Sequence, residues 1–141
     1  MSAGTAGHDF LHPDGWPRGH GYAHGIAARG RTVFISGQVG WNPNTTAFES
    51  DDFAEQTAQA LRNIVAVLKA AEAGPEHLIR LTWYVVDKQQ YVAARSKIGA
   101  AYREIIGRHF PTMSVVVVSA LVEDRALVEI EATAVVPDEK S

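Results

Sequence analysis

The sequence predicts an α+β domain in which two amphipathic helices cover one face of a sheet of about five strands, in the order β-β-α-β-α-β-β. Three observations carry that prediction. Residues 51–73 and 89–108 repeat apolar side chains every three or four positions, the period of a helix with one buried stripe. The runs LIRLTWYVV (78–86) and ALVEIEATAVV (126–136) are short and dense in β-branched or apolar residues, as strands are. The stretch HFPTMSVVVV (109–118) has a proline that ends the second helix, followed by a strand with no polar face.

Taken in chain order, residues 1–21 are rich in Gly, Pro and His, show no period, and read as a flexible or irregular arm. Residues 22–29 and 31–37 read as two short strands with Gly30 in the turn, followed by a loop over 40–50 that contains Asn42-Pro43-Asn44. The first helix places Phe53, Thr57, Ala60, Leu61, Ile64, Leu68 and Ala71 on one stripe. Asp51, Asp52 and Glu55 suit its positive N-terminus, and Gly74-Pro75 stops it. The second helix buries Tyr91, Ala94, Ile98, Tyr102, Ile105 and Ile106. A strand over 114–122, a turn at Glu123-Asp124-Arg125 and the strand 126–136 complete a domain spanning 22–136, with 137–141 as a tail.

Composition narrows the function classes. A chain of 141 residues suits one self-sufficient core. Without cysteine it forms no disulfide and offers no thiol nucleophile or thiolate ligand, which suits a reducing, cytoplasmic setting. No run approaches the roughly 18 apolar residues of a membrane span, and the N-terminus lacks the basic-then-apolar order of a signal peptide. The net charge is -3 with basic residues scattered, so neither nucleic acid nor a membrane is an expected partner.

Val115 and Val117 point to one side of their strand and Val116 and Val118 to the other. Two helices cover one sheet face only, so the second apolar face needs other cover. Another copy of the chain is the expected cover; the alternative, a fold-back of the N-terminal arm, offers a segment too polar to bury much area.

Glu129 and Glu131 share one face of the last strand, about 6.6–6.8 Å apart along it, while Val128, Ile130, Ala132 and Ala134 take the other, under the helices. A carboxylate on the uncovered face can position or deprotonate a water at a subunit interface; a solvated glutamate is the plain alternative. His8, His12, His20 and His24 have H-x3-H spacing, but in a Gly/Pro-rich segment that is no helix, so no metal site is expected. Ser36 is not in a G-x-S-x-G elbow. Gly37 reads either as a turn or as a point where a ligand meets bare backbone. Trp41, Trp83 and Tyr84 read as packing.

Several segments in order, GYAHG (21–25), VFISGQ (33–38), QTAQALRNI (56–64), FPTMS (110–114) and LVEIEA (127–132), resemble the RidA/YjgF family of enamine/imine deaminases over about residues 20–136. The resemblance implies a chorismate-mutase-like fold with a mixed sheet, a homotrimer with small-molecule clefts between subunits, and hydrolysis of an imine to a carbonyl compound and ammonia without a metal or organic cofactor. It places Glu129 at the position of the water-holding glutamate, Gly37 and Val115 where backbone groups face the ligand, and Tyr22 on the cleft wall. Met113 departs from the pattern, because the characterised deaminases carry an arginine there that forks onto a substrate carboxylate. Ordinary 2-imino acids are therefore expected to be poor ligands, unless another cation replaces the fork; Arg95 is the candidate, with a solvated helix-face role as its alternative. The expected function is deamination of a small imine with a neutral or apolar recognised end. The alternative is a non-catalytic binding or regulatory trimer. Ribonuclease activity, attached to some relatives, is disfavoured by the acidic balance.

Overall fold

The computed structural model describes residues 7–138; the first six residues of the expected arm and the last three of the expected tail lie outside these. In chain order the elements are β1 (Asp9–Leu11), β2 (Gly25–Ala27), β3 (Arg31–Val39), β4 (Trp41–Asn42), β5 (Ala47–Phe48), α1 (Phe53–Ala70), β6 (Leu78–Val85), α2 (Lys88–Ala93), α3 (Arg95–Ile105), β7 (Thr112–Val117) and β8 (Val128–Val136). The main sheet runs β3-β8-β6-β7. β8 is antiparallel to both neighbours and β7 is parallel to β6, so the sheet is mixed, with β3 and β7 at its edges. The α+β class read from the sequence is the observed one.

Four local differences have physical causes. The helix expected over 89–108 divides at Ala94 (φ -94°, ψ 2°) into α2 and α3; Asp87 caps the first piece, accepting from the backbone N–H of Gln89 at 2.8 Å and Gln90 at 3.1 Å. The strand expected at 114–122 begins earlier and stops at Val117, because its partner β6 ends at Val85 and the last bond across the pair is Val118 N to Val85 O, 2.9 Å. The strand expected at 22–29 shrinks to β2, which pairs with β1 outside the main sheet. The expected irregular arm therefore contains a strand at 9–11, and His8 beside it is buried, its Nε2 donating to Val135 O at 2.9 Å.

The helices cover one sheet face. Leu61, Ile64 and Leu68 of α1 pack with Ile98 and Tyr102 of α3 on Leu81, Val85, Val128 and Ile130. Asp52 caps α1 through its carboxylate and the Glu55 N–H, 3.0 Å. Leu61 is wholly buried. Leu61→Ala is expected to destabilise the fold by about 2–5 kcal/mol, read as a lower denaturant midpoint at unchanged slope.

The QTAQALRN motif ties the sheet to the helix. Gln56 and Asn63 are buried polar residues. Gln56 donates to Ser50 O and Arg125 O, each at 3.0 Å, and accepts from Leu127 N–H at 2.8 Å, holding the entry to β8. Asn63 donates to Val39 O at 3.2 Å and Trp41 O at 2.9 Å, holding the exit of β3. Buried backbone carbonyls are thus satisfied where the two strands that carry the candidate site begin and end.

Candidate functional site

The uncovered face of the sheet carries alternate residues of each strand. β8 presents Glu129, Glu131 and Thr133; β6 presents Arg80, Thr82 and Tyr84; the register sets Tyr84 opposite Glu129, Thr82 opposite Glu131 and Arg80 opposite Thr133. The interleaved residues Val128, Ile130, Ala132 and Ala134 are buried under the helices. Period-two alternation in the last strand therefore places the carboxylates as expected.

Glu129 meets Gly37 across the β3–β8 pair. From Ile35 to Gln38 β3 advances three residues while β8 advances two, so the chain bulges at Ser36-Gly37. The Glu129 side chain lies over this bulge: a Cβ added to Gly37 would overlap a carboxylate oxygen and come 2.7 Å from the Glu129 Cδ. Any side chain at 37 would displace the carboxylate, which explains the glycine here.

Tyr84 and Arg80 enter this face although no functional role was read for them in the sequence. The Tyr84 hydroxyl donates to Glu131 Oε1 at 2.5 Å. That bond, and the charges of Glu131 and Glu129 nearby, hold the phenol above its ordinary pKa. Arg80 donates from Nη2 to Ser114 Oγ at 3.2 Å. A depression of about 430 Å³ between Phe34, Arg80, Thr82 and Glu131 adjoins them. The available signal was the i, i+2 spacing of Arg80, Thr82 and Tyr84 inside an otherwise apolar strand.

The other expected site residues lie elsewhere in the protomer. Met113 stands opposite Leu81 in the β6–β7 register and packs against the core, facing the helical side. Val115 follows it on the edge strand and is 39% exposed; Val116 and Val117 are also exposed. Arg95 lies on the helical layer, its guanidinium 5.7 Å from the centre of the Tyr91 ring. Tyr22 lines a separate groove at the N-terminal end of β7, where Ala23 N–H donates to Pro111 O at 3.1 Å. Among the described residues, no group of three or more His, Asp or Glu stands close enough to hold a metal ion, and no helix is long and apolar enough to cross a membrane.

His109, at the floor of that groove, bonds through Nε2 to Leu78 O at 2.6 Å. Burial pushes its pKa below the ordinary value; the Leu78 carbonyl and Glu76 oppose this, while His8 and His77 add to it. The folded state therefore favours the neutral ring. Its contribution to stability is complete above the unfolded pKa of about 6.5 and is lost as pH falls from there through the depressed folded value. As pH drops below about 6.5, the melting temperature is expected to fall more steeply in the native chain than in His109→Gln, as measured by scanning calorimetry.

Comparison with known proteins agrees with this architecture. The profile of the family described as Endoribonuclease L-PSP matches residues 17–136. The human 2-iminobutanoate/2-iminopropanoate deaminase is 30% identical over 105 residues, 74% of this chain and 73% of that protein. A RutC family protein of Pyrococcus horikoshii is 36% identical over 113 residues, 80% of this chain and 85% of the relative. Among solved structures, a protein of the conserved Rid family from Yersinia pestis, YyfB, superposes with a TM-score of 0.75 at 35% identity, covering 91% of this chain and 98% of that one. TdcF of E. coli, solved with bound serine, superposes at 0.64 with 31% identity, covering 81% and 87%. The chain belongs to the RidA/YjgF family, the group that the Endoribonuclease L-PSP profile describes. At the level of that family, the deaminase relatives support a role in imine or enamine deamination.

Proposed function

We propose that this protein is a homotrimeric deaminase that hydrolyses a small reactive imine at clefts between subunits. The observation that carries the reading is the Glu129 carboxylate laid over the bare backbone of Gly37 on the uncovered sheet face. There it can hold a water against an electrophilic C=N carbon and take a proton as the water attacks. Glu129 returns that proton to the nitrogen, and the carbinolamine collapses to C=O as ammonia leaves, so imine plus water gives carbonyl compound plus ammonia and the carboxylate is regenerated. Gly37 and Val115 orient the ligand through backbone groups, and Tyr22 and Met113 shape the cleft. No metal or organic cofactor takes part.

Assembly is supported by the two sheet edges. β7 ends in exposed valines, and β3, at the other edge, carries Phe34, which is 79% exposed. Different patches at opposite edges make a heterologous contact, which closes into a ring when the rotation allows. Such a ring would bring Tyr22 and Val115 of one protomer toward Glu129 of the next.

Met113 packed on the core favours substrates without a carboxylate at that point, because a thioether supplies neither charge nor strong donor. It also favours the second reading, a trimer that binds a small apolar metabolite without turnover. Ammonia release from imines generated in situ tests both. The native chain is expected to hydrolyse neutral imines faster than 2-iminopropanoate, and Glu129→Ala to abolish the difference from the buffer rate. Equal rates in native and Glu129→Ala protein would remove Glu129 from the mechanism. Saturable binding with no ammonia would establish the second reading instead.

A further inference from the structure

One cavity of the protomer is not lined by Glu129. It is a groove of about 940 Å³ between the N-terminal arm and the turn that joins α3 to β7, and Tyr22 and His109 lie in its wall. Two guanidiniums, Arg18 on one wall and Arg108 on the other, line it. Both residues are exposed, and no carboxylate of the described residues lies within 4.0 Å of either: the ion pairs found are Arg125 with Asp51 and His77 with Glu76. Glu76 is the acidic residue in the lining. The groove therefore carries two cations against one carboxylate on a chain of net charge -3.

Both walls are built, not loose. On the arm, His12 Nε2 bonds to Trp16 O at 2.8 Å and His24 Nε2 to Pro17 O at 3.0 Å, just before Arg18. The His24 ring takes the edge-on contacts of Trp16 and Tyr22, with ring centres 5.1 and 5.5 Å away. Gly19 lets the arm close on Tyr22, since a Cβ there would stand 2.7 Å from the Tyr22 ring. On the other wall, Gly107 at φ +102° ends α3 in a left-handed turn, and His109 is fixed to Leu78 O, so Arg108 is held between two anchored residues. The bond from Ala23 N–H to Pro111 O stitches the walls together.

We propose that this groove binds the oxyanion end of a small molecule, a carboxylate or a phosphate, between Arg18 and Arg108. Guanidiniums present paired donors matched to such groups, and Arg18 follows a backbone anchored at Pro17 O. Tyr22, which the deaminase reading places on the cleft wall, also lines this groove, and that shared residue is the link between a bound oxyanion and turnover. The link to turnover rests on the deaminase reading; the binding does not.

The test uses the full chain with two probes, inorganic phosphate and 2-oxobutanoate, followed through the arginine Nε–H resonances and by calorimetry. Saturable binding of either probe is expected, and which one binds identifies the oxyanion. Arg18→Gln with Arg108→Gln is expected to weaken it by about tenfold or more, as loss of charge-assisted bonds requires; Arg108→Lys, which keeps the charge and loses the fork, should fall between. Circular dichroism on each variant confirms the fold. Absence of saturable binding of both probes, full binding in the double variant, or loss in Arg95→Gln with retention in the double variant would overturn the proposal. Failure of ammonia release with binding intact would overturn the deaminase reading alone.

Discussion

Glu129→Gln is expected to lower kcat/KM for imine hydrolysis by about 10²–10⁴-fold, the usual range for loss of a positioned acid–base group. The melting temperature should barely move, because Glu129 lies on the face away from the core and surface changes of this kind stay within about 0.5 kcal/mol. Gly37→Ala provides an independent route to the same defect. It leaves the carboxylate chemically intact and drives it off the bulge, since the added methyl would occupy its place. Both variants should lose activity, and Gly37→Ala should keep the native oligomer. Steady-state ammonia release, with mass measured by light scattering, checks both points. A fully active Gly37→Ala protein would show that the carboxylate's seat on Gly37 plays no part in the chemistry.

The second large effect concerns assembly. Val117 is 55% exposed at the end of an unpaired edge strand, beside Val116 at 41%. A bare apolar edge is an aggregation hazard unless something covers it. The native protein is therefore expected to sediment at about three times its 15.3 kDa chain mass. Val117→Asp would bury an unpaired carboxylate in the contact, at a penalty of several kcal/mol, and is expected to yield the 15.3 kDa species. Deaminase activity should disappear with the oligomer although Glu129 is untouched. A native protein that sediments as single chains, or an active monomeric Val117→Asp, would refute the shared cleft.

The elements that were legible in the sequence are those whose signal is local. The α1 stripe of Leu61, Ile64 and Leu68 and the alternation of Val128, Glu129, Ile130 and Glu131 each repeat within a few residues, so their buried and open faces could be assigned without knowing any partner. The apolar β7 was likewise visible as an element needing cover, and its valines are exposed in the protomer. The break at Ala94 was not visible, because the apolar period runs through it. The strand at Asp9–Leu11 was missed because three residues give no measurable period, and its partner β2 lies fourteen positions away, beyond a turn-rich loop.

The site divides along the same line. Composition and pattern by themselves determined the α+β class, the chain order of the main sheet's strands and of the helical segments between them, and the sharing of one sheet face by Glu129 and Glu131, because a strand alternates its side chains whatever it pairs with. Tertiary structure alone decided that the bulge at Gly37 lies under Glu129, that Tyr84 donates to Glu131, that Met113 turns toward the core, and that Arg18 and Arg108 face one groove. Each of these joins residues far apart in the chain, and the register and bulge that bring them together are set by the pairing of whole strands, which leaves no periodic trace in the sequence.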